Sequence, residues 1–471
     1  MILSAIIGIS IVSYINVGRS SLTMSNRSLY NNGAMNLAEN GLEEAMYSIN
    51  KLVADPSYSF TSDGWTAVGT SDMRRKWTGT AFDQNATGEV RVYIYNYTVA
   101  PRIIARSLVS LGGQASSAVE KWIEVQLRKT SKFANGLVAK DSIRFSGNNA
   151  SVDSWNSKLY PSTTTDTDGD GTVDALDTDA NGDGVADASI PYSSGVRRDN
   201  GSVGSVSVSV DAVLVQNADI WGYAATGGAL PTVGSNGLVG PFGTATGTMD
   251  MSRVSTDFSA SFDPVTAPTT GSNIASIASS DLPMTLGTAG TTNVYRLPSI
   301  TGTGGAANVL TIQGNTTLVL TAAPGTTAIQ FTGNAGIAIA TGANLTIYVE
   351  GDVNIGGNGV ANGGTTAATS NPPSNFQIWG TRTSGTQNVS IAGNGVLSAI
   401  AYVPNGNLSI NGNGDVMGSF VADDITVTGN ASFHYDESLG NFGGNNPYRV
   451  SRWNELSEAT ARATYSSVMN F

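Results

Sequence analysis

The sequence predicts an α+β N-terminal part, made of a long helix and a small antiparallel sheet, followed by a mainly β region folded as a right-handed parallel β-helix, a solenoid. Three observations predict it. Residues 1–52 keep apolar or small side chains at helical spacing, residues 88–129 hold alternating segments, and an apolar-x-Gly-Asn tetrad recurs from Phe145 onward.

Composition narrows the function classes. The 471 residues include 56 Gly and only 13% charged side chains, where an average soluble domain carries about 25%. Such a chain favours strands and tight turns. The net charge of -12 and the absence of any Lys/Arg cluster argue against nucleic acid as a partner, because counterion release needs clustered cations. With no Cys and a single His, disulfides, thiolate chemistry and most histidine catalysis or zinc binding are excluded.

The helix is expected over residues 1–52. Met1 to Val17 carries no charge and Arg19 ends the run, a length of roughly 26 Å as a helix, enough for a transmembrane segment. Leu22, Leu29, Leu37, Ala38, Leu42, Ala45, Met46, Ile49 and Leu52 continue it with an amphipathic pattern. Ser4, Ser10, Ser13 and Asn16 place polar groups in the apolar run, where they can bond across packed helices.

Residues 53–131 are expected to form a small β domain. GEVRVYIYNYTV alternates, with Val90, Val92 and Ile94 on one face and Arg91, Tyr93 and Tyr95 on the other; PRIIARSLVSL and AVEKWIEVQLRK supply two further strands.

Residues 132–450 carry the repeat. The tetrads begin at Phe145, Ile312, Phe331, Ile355, Ile391, Ile410 and Val427, and several of their spacings fall near 18 residues or twice that. Short strands such as NLTIYV, NVSIAG, NLSING and DITVTG would stack coil on coil, with Gly and Asn at the corners because both tolerate positive φ. Residues 451–471 are left as a tail or a cap on the last coil.

The segment NLAENGLEEA, residues 36–45, resembles the stretch that follows the hydrophobic tail in type IV pilins with a PilX-like N-terminus. VDSWNS (152–157), YVPN (402–405) and FHYDESL (433–439) are similar to a β-helical domain attached to such N-termini. The resemblance implies a processed, methylated Met1 and a subunit held in the inner membrane before assembly. It then implies helical, homo-oligomeric filaments at the cell surface, with the N-terminal helices in the filament core and the β-helix outside. Pilins of this kind usually carry Glu at the fifth mature position to pair with a neighbour's terminal amine, and here that position is Ala5. Two other readings are open: a minor or tip pilin acting as an adhesin for a glycan or surface ligand, and a glycan-active β-helix enzyme.

Between Thr163 and Ile190 lies an insertion with eight Asp in 22 residues. Asp166, Asp168, Asp170, the Thr172 carbonyl, Asp174 and Asp177 take the oxygen-ligand positions of a calcium loop, with Gly171 at its turn. A second set, Asp179, Asn181, Asp183, the Val185 carbonyl and Asp187, follows the same spacing but ends on Ile190. The tandem resembles thrombospondin type 3 repeats. Hard oxygen donors at this spacing suit a structural Ca²⁺.

The remaining candidates favour structure over catalysis, so the chain is expected not to be an enzyme. His434 sits near Asp436 and Glu437 and could be drawn as a general base, but a hydrogen-bonded structural His is the expectation. Asp423 and Asp424 would point to opposite faces of one strand. GGNGVANGG, residues 356–364, lacks the ending of a phosphate loop. The seven Trp are expected in cores, and the N-x-[ST] matches arise from strand alternation.

Chelation tests the acidic insertion. With EDTA, protease cleavage within residues 163–190 should increase; an unchanged cleavage pattern counts against calcium there.

Overall fold

A computed structural model describes residues 2–83, 86–97, 101–111, 118–129, 131–147, 149–158, 189–356, 359–363, 370–393, 397–412, 414–443 and 446–471. It divides into two compact units: residues 1–130 with 443–471, and residues 131–442. The expected calcium ligands, Asp166 to Asp187, and Met1 lie outside the described residues.

In the first unit, helix α1 (Ile2–Ala54) packs on an antiparallel sheet of β1 (Thr66–Val68), β2 (Asp72–Asp83), β3 (Ala86–Tyr95), β4 (Arg102–Leu111), β5 (Val119–Lys129) and the returning strand Tyr448–Glu455. The helix stops where Asp55 precedes Pro56, since a residue before proline disfavours the α region. Its second half buries Leu37, Ala38, Leu42, Ala45 and Ile49 against Val90, Val92, Ile94, Ile103, Ile123 and Val125. Gly41 lets the backbones come this close: a Cβ there would lie 2.7 Å from Val92 and 2.8 Å from Val90 side-chain carbons. Buried Ser48 accepts a hydrogen bond from the Trp65 indole at 3.0 Å, and the Ser107 hydroxyl donates to the Ala34 carbonyl at 2.5 Å, so the small residues on this helix face are part of the seam.

The first half of α1 is different. Ile11, Val12, Tyr14, Ile15 and Val17 are exposed, and Leu29, expected on the amphipathic face, is 66% exposed. Among the described residues no helix is long and apolar enough to cross a membrane, so the expected transmembrane segment finds no support. The side chains of residues 2–10 lie outside the described set.

The three strands expected between 88 and 129 are β3, β4 and β5, and Val90, Val92 and Ile94 do share the face under α1. The opposite face, with Tyr93, Ile104 and Trp122, is also covered, by Leu456, Tyr465 and Met469. The C-terminal residues, read from sequence as a tail or cap on the coils, therefore belong to this sheet. Tyr448–Glu455 pairs antiparallel with β5, from Tyr448↔Lys129 to Glu455↔Ile123. Alternation alone would leave one face of β3 to β5 to water; the tail makes the sheet two-sided.

The second unit is a large, mainly parallel β region. It opens with β6 (Leu137–Phe145), β7 (Ser151–Trp155), β8 (Gly201–Ser205), β9 (Val213–Gln216) and β10 (Asp219–Ala225). Six of the seven tetrad residues form one buried ladder: Phe331↔Ile355, Ile355↔Ile391, Ile391↔Ile410, Ile410↔Val427 and Val427↔Phe145. The seventh, Ile312, stacks between Leu286 and Ile339 in a separate four-stranded sheet. Past the corner Asn149, the residue after the Phe145 tetrad, donates to Asn430, the Asn of the Val427 tetrad, at 3.3 Å. Only glycine fits at the corner, because a Cβ on Gly147 would lie 1.6 Å from the Gly429 carbonyl oxygen.

Ladder order is not chain order. One inward apolar column runs Leu318, Ile347, Ile378, Ala401, Phe420, and then continues into Leu137, Val203 and Ala224. The last rungs of the region thus receive its first strand. From the far end, Val254–Ser255 beside β10, residues 256–271 carry the chain to Ser272–Asn273, which pairs with Thr292–Leu297. This strap is fastened by the Phe258 N–H to the Thr226 carbonyl (2.8 Å), the Tyr402 hydroxyl to the Asp263 carbonyl (3.0 Å), and the Arg296 guanidinium to the Pro268 carbonyl (2.6 Å).

Where an open solenoid was expected, part of the ladder closes on itself. β10 pairs with β7 and with β8, β8 with β6, β6 with Asp415–Gly429, that strand with Ser432–Asp436, and the last with β7, a ring of six parallel strands. It closes because β10 and Asp415–Gly429 each turn a corner mid-strand, at Gly222 (φ 153°) and Gly418 (φ 127°), and so pair on two faces.

Gly418→Ala tests that corner. Its Cβ would meet the Ala399 carbonyl oxygen at 1.8 Å in a backbone region closed to L side chains. Chemical denaturation should show a loss of roughly 3 kcal/mol.

Candidate functional site

The described residues closest to the acidic insertion form a buried polar cluster. β7 leads into the insertion and residues 189–200 return from it, and both feet are fixed. The Ile190 N–H donates to the Ser157 carbonyl at 3.0 Å, and the Trp155 indole donates to the Ile190 carbonyl at 3.1 Å. Ser157 also donates to Asp436, through its N–H (3.0 Å) and its hydroxyl (2.6 Å). Burial raises the Asp436 pKa even though these bonds and those from Ser438 oppose the rise.

Parallel pairing places His434 directly beside Asp153, with Phe433↔Val152 and Tyr435↔Ser154 on either side. Adjacent residues on one face of a sheet touch. The His434 ring, 3% exposed, sets Nδ1 2.5 Å from Asp153 Oδ1 and Nε2 3.6 Å from Asp415 Oδ1. Asp153, 2% exposed, is shared: the Tyr192 hydroxyl donates to Oδ2 at 2.9 Å, and Arg197 Nε lies 2.6 Å from the same oxygen. The Tyr192 ring stacks on His434 with centroids 3.5 Å apart and planes 20° from parallel, and meets Trp155 edge-on at 5.6 Å.

A second network holds the rest of the returning arm. Ser154 and Arg198 exchange backbone hydrogen bonds at 3.0 and 2.7 Å. Glu437 binds the Arg198 guanidinium (2.7 Å), the Asn200 amide (3.0 Å) and the Ser154 hydroxyl (2.8 Å).

Two carboxylates flank the imidazole, and a neutral ring has only one N–H to offer them. Burial pushes the His434 pKa down, but the hydrogen bond to Asp153 and the negative charges of Asp153 and Asp415 outweigh it and the pKa is raised. The nearby His434 ring, against the cost of burial, in turn lowers that of Asp415. Burial beside Asp153 raises the Tyr192 pKa, so its hydroxyl stays a donor. The stability sign follows: a raised histidine pKa contributes stability that is fully present below the ordinary value and is lost as pH rises through the folded-state value.

The neighbours named from sequence, Asp436 and Glu437, bind serines, Asn200 and Arg198 rather than the ring. The partner is Asp153, 281 positions away. VDSWNS and FHYDESL, singled out as separate fragments, lie side by side as paired strands. Asp423 and Asp424 are not brought together either: Asp424 accepts from Ser142 at 2.6 Å, while Lys140 lies 3.9 Å from Asp423. Of the seven Trp, Trp155 is fully buried and Trp453 is 44% exposed, so core packing does not describe them all. Among the described residues no group of three or more His, Cys, Asp or Glu is placed to hold a metal ion.

A sequence profile described as a domain of unknown function (DUF7305) matches residues 268–442, which include Asp415 and His434 but not Asp153, Tyr192 or Arg197. No curated protein matches the chain. Among solved structures, the crystal structure of the competence-associated pilin ComZ from Thermus thermophilus is similar at TM-score 0.28 and 10% identity, over 90% of this chain and 96% of that one. A score of that size carries no weight for fold or function.

Asp153→Asn tests the cluster. It removes the one carboxylate that faces His434, Tyr192 and Arg197 together, and should cost roughly 3 kcal/mol in chemical denaturation, since the buried His434 and the partly buried Arg197 lose the anion they share.

Proposed function

We propose that the chain is a pilin-like structural subunit of a cell-surface filament, with the first half of α1 in the filament core and the parallel β region displayed outside. One observation carries this reading: α1 is a single 53-residue helix whose second half is sealed into its own sheet while Ile11, Val12, Ile15 and Val17 in the first half stay exposed. A helix that exposes such a run needs other copies to cover it. The pilin resemblance of residues 36–45 falls on the sealed half, where Leu37, Ala38, Gly41, Leu42 and Ala45 make the helix–sheet seam.

In this reading the parallel region is a coiled solenoid interrupted by one closed ring, and the acidic insertion holds Ca²⁺ structurally through Asp166 to Asp187. The support is the oxygen-only donor set, together with feet pinned at Ser157 and Ile190 that would hold a loop's ends in place. The chain is read as non-catalytic. His434 is buried and its Nδ1 is bound to Asp153, which keeps the ring away from a solvent-borne substrate.

A tip adhesin is the second reading, favoured by one surface. Tyr223 and Phe242 are exposed, Arg253 stacks on Tyr223 at 4.3 Å, and Trp221 meets Phe242 at 5.6 Å, a ring-and-arginine chemistry that suits glycans.

The double variant Ile11→Asp, Ile15→Asp separates folding from assembly. Both side chains are more than half exposed, so the isolated chain should melt as the wild type does. In the native cell, wild-type chain should sediment with sheared surface filaments and the variant should not. Filaments that lack the wild-type chain would overturn the reading, and a few copies per filament would favour the tip adhesin.

A further inference from the structure

Three aromatic side chains and two arginines meet on the outer face of β10, beside the arm that returns from the acidic insertion. Alternation along β10 turns Asp219, Trp221 and Tyr223 outward and buries Ile220 and Ala224. The Trp221 and Phe242 rings lie 5.6 Å apart, and the Arg197 guanidinium sits 5.6 Å from the first and 4.8 Å from the second. Asp199 joins this group to the third ring. Its carboxylate accepts from the Phe242 N–H at 3.3 Å, its carbonyl accepts from Arg253 at 3.0 Å, and Arg253 stacks on Tyr223 at 4.3 Å. The geometry points to a binding site for a neutral oligosaccharide of pyranose rings, with Trp221, Phe242 and Tyr223 as the platform and Asp219, Asp199 and Arg197 as the groups that bond its hydroxyls. The inference rests on the adhesin reading and names the class of its ligand.

A pyranose presents an apolar C–H face with hydroxyls around its rim, so it needs flat apolar rings bordered by donors and acceptors. Both are present. Arginines stack on the Tyr223 and Phe242 rings, yet these residues stay 43% and 46% exposed. Arg197 is pinned at Nε, 2.6 Å from Asp153, which leaves its two terminal nitrogens to other acceptors. Asp219 is partly buried; burial raises its pKa, the Arg197 cation opposes the rise, and no hydrogen bond contributes. A carboxylate in that position gains from a donor, and sugar hydroxyls are donors. Charge selects a neutral ligand. Both arginines already have a carboxylate, Asp153 for Arg197 and Asp199, at 3.7 Å, for Arg253. Among the described residues Asp219 has no ion pair, and the whole chain carries -12, so a uronate would meet repulsion.

The full chain is titrated with cellohexaose, mannohexaose, maltohexaose and chitohexaose, and with hexagalacturonate as the acidic counterpart, by saturation-transfer NMR. At least one neutral hexamer should bind, with its ring C–H protons saturated most strongly, and hexagalacturonate should not. Phe242→Ala and Tyr223→Ala remove rings that are nearly half exposed, so each variant should melt as the wild type does and weaken binding roughly tenfold. Asp219→Asn should not lower the melting temperature and should weaken binding by a similar factor. Binding that survives all three variants, or no binding by any neutral hexamer, overturns the inference. Preference for hexagalacturonate overturns it too and gives the platform to an acidic partner. Because the isolated chain carries this test, its failure leaves the filament readings standing, whereas filaments that lack the wild-type chain remove the adhesin setting and not the sugar site.

Discussion

The parallel region is spliced between two strands that must stay hydrogen-bonded to each other. Lys129 ends β5 and Tyr448 begins the strand paired with it, and these two residues face one another. Whatever lies between must leave and return at almost one point. A stack of parallel rungs wound in a single direction cannot do this, because its ends separate by about 4.8 Å for every rung. The chain starts in the middle instead. β6 lies on the rung next to Phe420 to Val427 of the last long strand, and the Ser131 N–H meets the Gly440 carbonyl at 3.3 Å where entry and exit come together.

Much of the second unit follows from that choice. Growing outward from the middle leaves the chain at one end after Val254–Ser255, and the strap 256–271 carries it to the other so that the remaining rungs can fill back toward β6. The junction between the outgoing and returning halves is where Asp415–Gly429 bends at Gly418 and β10 bends at Gly222, closing six strands into a ring. Both bends need glycine for the same reason: the next rung's carbonyl oxygen occupies the space of a Cβ.

The junction also creates the polar cluster. β7 belongs to the outgoing half and Ser432–Asp436 to the returning half, and only their meeting sets His434 beside Asp153. A buried imidazole, two carboxylates and an arginine would be costly anywhere that one of them lacked a partner. Here their charges balance when the ring is protonated, and the stacked Tyr192 extends that balance to the arm of the acidic insertion.

Periodicity was readable from the residues because it is local. Alternation placed Val90, Val92 and Ile94 on one face of β3, and the apolar-x-Gly-Asn tetrad marked a single recurring corner, which is why six of its seven apolar residues form one column. The limits of local pattern show in the same elements. Ile312 carries the motif yet stacks in another sheet, and Leu29 fits the helical spacing yet faces outward because the antiparallel sheet supports only the later part of α1. Gly41, Ala34 and Ser48 pass unnoticed in a search for large apolar residues, although a close helix–sheet approach needs small ones. His434 could be recognised as the sole histidine, but its neighbours in the chain gave the wrong partners. Its true partner came from the order in which rungs stack, a consequence of returning the chain to Lys129 and Tyr448 rather than of any spacing along the sequence.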